Sequence, residues 1–293
     1  MMYTVLTSDV IESRKIMNRG EVQRDLEIAI NYLNKVYIDN IKTPVEIVFG
    51  DSIQGVFSDP SNAFLYLRML QMLMHPVKLR SGIGIGEVVN YLEGEIASFL
   101  DGKAFHRARQ AIDKLEKVKT ESLCIIGNDK VMMDFAQLNS YINLYIKQKS
   151  WLGPSGTNVS LINEILNPLS MDLSNYLHND ANIYELIERK YYHNLTTRRN
   201  YISKHDHYET RNKLNFNVLW DSDKILFNIH DVLKSNTYLY QASDFVTRGI
   251  QTHISEILGV SRQNIQKIFS NALQDERMHA AMICERIRDL TSE

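Results

Sequence analysis

The sequence is poor in the features that mark secreted, disulfide-bonded and membrane proteins. It contains only two cysteines, Cys124 and Cys284, and no CxxC pair, which excludes a disulfide framework and a structural zinc site of the usual spacing. No apolar run reaches the roughly 18 residues that cross a bilayer. The first residues, MMYTVLTSDVIESR, include acids where a signal peptide has a cationic leader. We therefore expect a cytoplasmic protein without a membrane partner.

An excess of charge of either sign is also absent. The 33 Lys and Arg residues are balanced by 35 Asp and Glu residues, which gives a formal net charge of -2. This balance excludes a globally basic protein that coats nucleic acid, but it leaves local basic patches open. Hydrophobic residues make up 44% of the chain, which is enough for a buried core and excludes wholesale disorder.

Glycine and proline are scarce in the second half of the chain. Nine of the 13 glycines precede residue 130, as do Pro44, Pro60 and Pro76, and the composition changes near residue 150. Because these residues mark turns and strand ends, the first half is predicted to mix strands and helices and the second to be mostly helical. We predict an α+β domain at 1–128, a helical linker region at 129–220 and a helix-turn-helix domain at 221–293, with a turn or linker segment at 151–156.

The first half has the predicted element order βαββαβαβ. Apolar spacing and turn residues give a strand at 3–6 that stops at Ser8 and Asp9, and a helix at 22–38. Hairpin strands at 45–49 and 53–57 follow, then a helix capped by Asp59, a strand at 77–89, a helix at 104–118 and a strand at 122–126. A hairpin with two crossover helices is typical of the ferredoxin-like split arrangement, in which helices cover one face of the sheet.

Three glycines alternate along the strand at 77–89. They are Gly82, Gly84 and Gly86, and no helix begins directly after them, so they do not form a dinucleotide-binding fingerprint. We predict that they allow a helix to pack closely on this strand.

Two aspartates are the main candidates for chemistry in the first half. Asp9 follows the first strand and Asp51 lies at the tip of the hairpin. If the first strand lies beside the hairpin, both carboxylates reach one end of the sheet, where they can bind a divalent metal together with substrate phosphate. A strand-ending cap at Asp9 and a turn-forming role for Asp51 explain the same residue types. Spacing alone leaves both interpretations open.

Four segments within the first 120 residues resemble the bacterial SatD family in order and spacing. They are SDVIESR (8–14), GDSIQGVF (50–57), RSGIGIGEV (80–88) and DGKAFHRARQAI (101–112). More distantly, the same segments are similar to the catalytic domain of class III nucleotide cyclases, which has a palm-type fold. The resemblance implies a ferredoxin-like palm domain that binds a nucleoside triphosphate through Mg²⁺ or Mn²⁺.

The resemblance also implies roles for individual residues. Asp9 and Asp51 would be the catalytic aspartates that hold the metals, and the main-chain carbonyl of Val10 would be a further ligand. The residues that would contact the nucleotide are Ile11, Ser13, Gly50, Lys103, His106 and Arg109. A basic cluster of Lys103, Arg107 and Arg109 at a helix start suits triphosphate oxygens, and equally a solvated helix face.

Two differences from the cyclases bear on activity. His106 replaces a cyclase Asn, and Gln110 stands where the cyclase Arg would align, with Arg109 one position earlier. The retained aspartates favour an enzyme, a nucleotidyl cyclase or nucleotidyltransferase that makes a signalling nucleotide. The two replacements favour an inactive palm domain that acts as a nucleotide-responsive transcription regulator. A structural adaptor is the third alternative.

The segment 242–273 is typical of a helix-turn-helix. Thr252 can cap a first short helix, Gly259 supplies the turn, and Ser261 caps a second helix. The predicted DNA-binding residues are Ser261, Arg262, Gln263, Asn264 and Lys267. A single motif covers one half-site, so we expect a homodimer on DNA. The same motif also serves as a packing or protein-contact module, which remains the alternative.

A stretch rich in bases and tyrosines, 189–213, precedes this motif. It contains seven Lys and Arg residues and four tyrosines, opposed only by Asp206 and Glu209. Such a composition suits single-stranded nucleic acid or a nucleotide, and equally a solvated surface with packed tyrosines.

Overall fold

A computed structural model describes the protein over residues 2–89, 97, 100–118, 123–149, 152–170, 180–199, 214–216, 227–235 and 239–292. These residues form two compact units. The first contains the described residues of 1–147 and 279–293, and the second contains those of 148–170 and 177–278. None of the helices in the described ranges is both long enough and apolar enough to cross a bilayer.

The N-terminal half alternates strands and helices. It contains β1 (Met2–Val10), a 3-10 helix (Ser13–Lys15), α1 (Arg19–Val36), β2 (Ile41–Phe49), β3 (Ser52–Phe57), α2 (Pro60–Met74), β4 (Leu79–Glu87), α3 (Lys103–Val118), β5 (Leu123–Ile126), a second 3-10 helix (Asp129–Val131) and α4 (Met132–Lys149).

The remaining elements are mostly helices. They are α5 (Gly153–Leu166), β6 (Leu169–Ser170), α6 (Ala181–Arg199), β7 (Phe227–Asn228), α7 (Ile229–Ser235), a 3-10 helix (Ala242–Phe245), α8 (Ile250–Leu258), α9 (Arg262–Ile268), a π-helical turn (Phe269–Leu273) and α10 (Gln274–Ser292).

The first unit is built on a five-stranded, mostly antiparallel sheet with the strand order β2-β3-β1-β4-β5. β1 lies in the middle and pairs antiparallel with β3 on one side and with β4 on the other. β5 joins β4 as a parallel edge strand. This is an α+β fold, and the predicted element order is confirmed.

Helices cover both faces of the sheet. On one face, the ring centroid of Tyr66 in α2 lies 5.3 Å from that of Phe57 in β3 and 5.5 Å from that of Tyr37 at the end of α1. Neighbouring strand residues point to opposite faces, so the residue before Phe57 points to the other side. That side carries a buried cluster under α3, which contains Val5, Val56, Ala104, Phe105 and Ala108. The prediction of one covered face therefore holds for α1 and α2 but not for α3.

The glycines of β4 allow α3 to lie directly on the strand. A Cβ atom at Gly82 or Gly84 would overlap main-chain atoms of Ala104 or Ala108, and one at Gly86 would lie 3.0 Å from the main-chain nitrogen of Ala104. Real Cβ atoms essentially never come within 3.0 Å of such atoms, so Gly82 and Gly84 leave no room for a side chain and Gly86 leaves very little. The predicted close packing of a helix on this strand is confirmed.

Most element boundaries agree with the predictions to within a few residues, and β1 is the main exception. The predicted strand stopped before Asp9, but β1 continues to Val10 because β4 pairs with it along its whole length. The predicted cap of α2 is confirmed, since Asp59 Oδ1 accepts hydrogen bonds from the Ser61 and Asn62 N–H groups at 2.7 and 3.2 Å. Ser122, the predicted start of the last strand, lies outside the described residues.

In the first unit, α2 is buried by the sheet on one side and by helices on the other. Ser61 Oγ donates a hydrogen bond to the Cys284 carbonyl of α10 at 2.9 Å, and the rings of Phe64 and Tyr145 in α4 are 6.0 Å apart. The Cys284 side chain is fully buried, and this burial raises the pKa of its thiol. Residues 279–292 are thus part of the core of the N-terminal unit.

The second unit is mainly helical, with α5 in contact with α8 and α9. Their buried apolar residues include Ile162, Ile165, Ile254, Ile257 and Ile265. One feature corrects the predicted all-α region: β6 and β7 form a two-residue parallel ladder.

Several local predictions fall in this unit. α5 begins at Gly153, inside the predicted linker, whereas Trp151 lies outside the described residues. α8 begins at Ile250, so Thr252 lies within the helix and does not cap it. Of the basic, tyrosine-rich stretch, residues 200–213 lie outside the described part of the chain, and so do the side chains of 191–199.

Candidate functional site

The two predicted metal-binding aspartates occupy the same end of the central sheet. In β1, Asp9 lies opposite Ser52 of β3 and opposite Arg80 of β4. The next residue, Val10, donates its main-chain N–H to the Asp51 carbonyl at 3.3 Å. The hairpin tip is therefore held against the end of β1 by backbone pairing, and both aspartates are half-buried.

A tight turn places Asp51 at this position. Phe49 pairs with Ser52, which leaves Gly50 and Asp51 as a two-residue hairpin turn. Gly50 has a φ of 66°, in the left-handed region that favours glycine. The local sequence thus determines where the Asp51 carboxylate stands.

The two carboxylates differ in their electrostatic surroundings. Asp51 Oδ1 lies 3.9 Å from the guanidinium of Arg19, the first residue of α1. The Asp9 carboxylate makes no hydrogen bond or ion pair with any residue in the described ranges. Arg80 stands directly opposite Asp9, but its guanidinium donates to Glu116 of α3 at 3.1 Å. Asp51 therefore has a neighbouring cation, and Asp9 retains its full accepting capacity.

A small cavity lies on the α1 side of this region. It measures about 10 Å³ and is lined by Val10, Ser13, Gly50 and Asp51 together with Arg19 and apolar residues of α1. This volume is near the lower limit for a single water molecule. The cavity has room for a water or an ion, so a nucleotide would have to lie on the open surface beside it.

The loop after β1 carries two more residues of interest. Ile11 donates its N–H to the Lys78 carbonyl at 2.9 Å, which fixes the start of the loop. Glu12 follows with a φ of 54°, an uncommon value for a residue other than glycine. Lys15 donates to Glu12 Oε1 at 2.6 Å, and this hydrogen bond lowers the pKa of the Glu12 carboxyl. Lys15 is thus already engaged next to the site.

The available donors suit a metal ion that arrives with phosphate. Among the described residues, no group of three or more His, Cys, Asp or Glu side chains is placed to hold an ion. Two carboxylates and one main-chain carbonyl replace only part of the octahedral shell of Mg²⁺, which usually keeps waters and substrate phosphate oxygens as its other ligands. The residues therefore fit a metal–nucleotide complex better than a metal held by protein alone.

The predicted nucleotide contacts of α3 are spread along the helix, and the first of them, Lys103, stands at the other end of the sheet. Lys103 packs beside Gly86, which pairs with Tyr3, six residues before Asp9 in β1. Six residues of a strand span about 20 Å. His106 Nε2 lies 3.5 Å from Asp101, and Arg109 pairs with Asp113 at 3.3 Å on the same helix. Within one chain, these residues do not join Asp9 and Asp51.

Arg107 of the predicted basic cluster has a structural position. Its guanidinium donates to the Ile85 carbonyl at 2.6 Å and lies 3.6 Å from Asp129. It therefore connects α3 to the end of β4 and is not available to a phosphate.

The predicted DNA-binding residues lie together on a different surface, in the second unit. Gly259 ends α8 with a φ of 61°, and Ser261 accepts a hydrogen bond from the Asn264 N–H at 3.3 Å, so it caps α9 as predicted. Ser261, Arg262, Gln263, Asn264 and Lys267 are all exposed. Neither Arg262 nor Lys267 forms an ion pair with the described residues.

The second helix of this pair does not stop where α9 ends. The π-helical turn and α10 follow without a break, so residues 262–292 are helical throughout. In the second unit, Ile265 and Phe269 point inward and are fully buried. The exposed residues at the start of α9 are thus on a helix whose other side is buried in the second unit.

Sequence reasoning did not identify Arg19 as part of the site. It precedes a glycine in a polar stretch, and nothing in its spacing links it to the hairpin 32 residues later. The only available signal was its position near the start of a helix that follows the Asp9 segment.

The N-terminal half carries the relationship to known proteins. No curated protein matches the chain. The sequence profile of the SatD family matches residues 3–150, about half of the chain, and this range contains Asp9, Asp51 and the whole sheet. α8 and α9 lie beyond the matched range. The chain therefore belongs to the SatD family.

Proposed function

We propose that the first unit is a palm-type domain that binds a nucleoside triphosphate together with Mg²⁺ or Mn²⁺ at Asp9 and Asp51. The observation that carries this proposal is the half-buried Asp9 carboxylate, which has no partner in the described part of the chain, next to the hairpin that holds Asp51. The antiparallel order β2-β3-β1-β4, with α1 and α2 on one face, supports a ferredoxin-like palm arrangement. The metal, when bound, would neutralise and orient the triphosphate.

Binding is favoured over turnover within a single chain. A phosphoryl-transfer site needs cations near the reacting phosphates, at the place where charge develops. Lys103 lies about 20 Å from Asp9, as judged by the strand spacing, and the His106 and Arg109 side chains are next to Asp101 and Asp113. We therefore prefer a nucleotide-responsive regulator to a cyclase or nucleotidyltransferase.

Replacing Asp9 or Asp51 by Asn tests the metal–nucleotide site. Either change keeps the shape of the side chain but removes one of the two negative charges that attract the cation. Mn²⁺ with a nucleoside triphosphate at about 100 times its dissociation constant is expected to raise the Tm of the wild type by about 5 °C. Each variant should show a much smaller shift, measured by differential scanning fluorimetry with each of the four nucleotides.

Asp289→Asn is the matched control, because this exposed carboxylate lines a cleft with Met2 and Tyr3, at the opposite end of β1. It should keep the full shift. Without ligand, the control should unfold at the wild-type temperature. The Asp9 and Asp51 variants should unfold there or slightly above it, since removing one of two neighbouring like charges relieves repulsion. An equal ligand-induced shift in the wild type and both site variants would refute the proposal.

For the second unit, we propose DNA binding through the start of α9. The supporting observation is the set of exposed polar residues at this helix start, which includes two cations without ion pairs among the described residues. Arg and Asn side chains in this position can contact base edges, and Lys can contact phosphate. Because one helix pair covers one half-site, we propose binding as a homodimer.

Replacing Arg262 by Ala should weaken DNA binding by about tenfold or more. The loss of one cation–phosphate or cation–base contact also lowers the slope of log affinity against log salt by about 1. Fluorescence anisotropy with labelled duplex DNA at several salt concentrations measures both quantities. Arg24→Ala removes the same charge from an exposed position in α1 and should change neither. If the wild type does not bind duplex DNA, the motif is a packing module.

A further inference from the structure

Arg19 places its guanidinium beside the candidate metal ligand Asp51. Its Nη2 atom lies 3.9 Å from Asp51 Oδ1, and an ideal Cβ built at Gly50 would lie 3.2 Å from the same nitrogen. The guanidinium thus lies across the turn that presents Asp51. Both side chains keep access to solvent, with 52% and 32% of their areas exposed.

The charges at this end of the sheet make Arg19 a competitor of a metal ion. A free divalent cation at Asp51 would face the positive guanidinium a few ångströms away, and this repulsion opposes metal binding. A bound triphosphate offsets this repulsion, because its negative charges attract both the metal ion and the guanidinium. The planar guanidinium is also well suited to bidentate contact with phosphate oxygens.

The exposed position of the Arg19 side chain allows this change of partner. Arg19 is the first residue of α1, half-exposed, and its ion pair with Asp51 is a long one. Exposed pairs of this kind stabilise a fold by only about 0.2–1 kcal/mol, so they separate readily. The guanidinium can therefore leave Asp51 without disturbing α1.

We propose that Arg19 makes metal binding depend on the nucleotide: it occupies Asp51 in the free protein and moves to the triphosphate when the metal–nucleotide complex binds. This inference rests on the proposed function of the first unit and assigns a role to a residue outside the four segments that resemble the family. By linkage, the nucleotide then raises metal affinity by the same factor by which the metal raises nucleotide affinity.

Replacing Arg19 by Gln separates the two effects, because they have opposite signs. Mn²⁺ alone should bind R19Q about two to five times more tightly than it binds the wild type, since the competing charge is gone. A non-hydrolysable nucleoside triphosphate in the presence of Mn²⁺ should bind R19Q about ten times more weakly, since a charged hydrogen bond to phosphate is lost. Isothermal titration calorimetry of the full chain measures both affinities.

Arg24→Gln is the matched control, because Arg24 is an exposed arginine of the same helix and has no ion pair among the described residues. It removes the same charge and should change each affinity by less than the R19Q variant does. Equal effects of R19Q and R24Q would overturn this inference and leave the proposed metal–nucleotide site intact. If the wild type binds no Mn²⁺–nucleotide complex, the proposed function fails and this inference fails with it.

Discussion

Replacing Arg277 by Met is expected to lower the free energy of unfolding of the second unit by about 3–5 kcal/mol. Arg277 is fully buried and donates to the Glu164 carboxylate, to the Phe245 carbonyl at 2.8 Å and to the Asn167 carbonyl at 3.1 Å. The variant would leave the buried Glu164 charge without this guanidinium, and burying a charge that has lost its counter-ion is costly. Urea unfolding followed by circular dichroism measures the change.

Two further variants test whether the lost stability comes from the unpaired buried charge. Arg286→Met removes an exposed ion pair from the same helix, at 3.0 Å from Asp134, and should cost less than about 1 kcal/mol. R277M combined with Glu164→Leu removes both charges and should recover much of the lost stability. If R277M costs no more than R286M, the buried pair does not hold the second unit together.

Replacing Gly84 by Ala is expected to destabilise the first unit by about 3 kcal/mol. The added Cβ would overlap the Ala104 carbonyl oxygen and the Ala108 nitrogen of α3, and neither backbone atom can move without shifting the helix. The helix would have to move away from β4 and loosen the cluster of Val5, Val56 and Phe105. Thermal unfolding should show a fall in Tm of several degrees.

Gly20→Ala is the control for this prediction. Gly20 lies in the first turn of α1 and a Cβ there would meet no atom within 4 Å. Alanine favours the helix more than glycine does, so this variant should be more stable by about 0.5 kcal/mol. Similar stability of G84A and G20A would show that α3 does not pack on β4 as described.

Local hydrogen bonds and backbone angles explain why two helix caps and the hairpin turn could be predicted from the sequence. Asp59 caps α2, Ser261 caps α9, and Gly50 with Asp51 forms the hairpin turn, each as the sequence indicated. These features depend on hydrogen bonds and backbone angles within a few residues. The predicted β1 was too short because aspartate is typical of the end of a strand. In the structure, pairing with β4 extends β1 past Asp9 to Val10.

The residues that surround Asp9 and Asp51 could not be predicted from the sequence. The motifs suggested that the basic residues at the start of α3 join the Asp51 hairpin, but the direction of α3 on β4 puts Lys103 at the far end of the sheet. Arg19 comes to the site because α1 begins beside the hairpin turn. Both facts follow from how helices pack on strands.

For this protein, the sequence by itself determined the α+β order of the N-terminal half, its family membership and the end of the sheet at which Asp9 and Asp51 lie. Those properties follow from periodicity, turn residues and short motifs, which act over neighbouring residues. The tertiary structure alone decided that Arg19 faces Asp51, that Arg277 is buried against Glu164, and that residues 279–292 pack on α2 of the first unit. These contacts join residues 32 to 223 positions apart, and such pairings depend on the packing of whole elements, which local sequence does not encode.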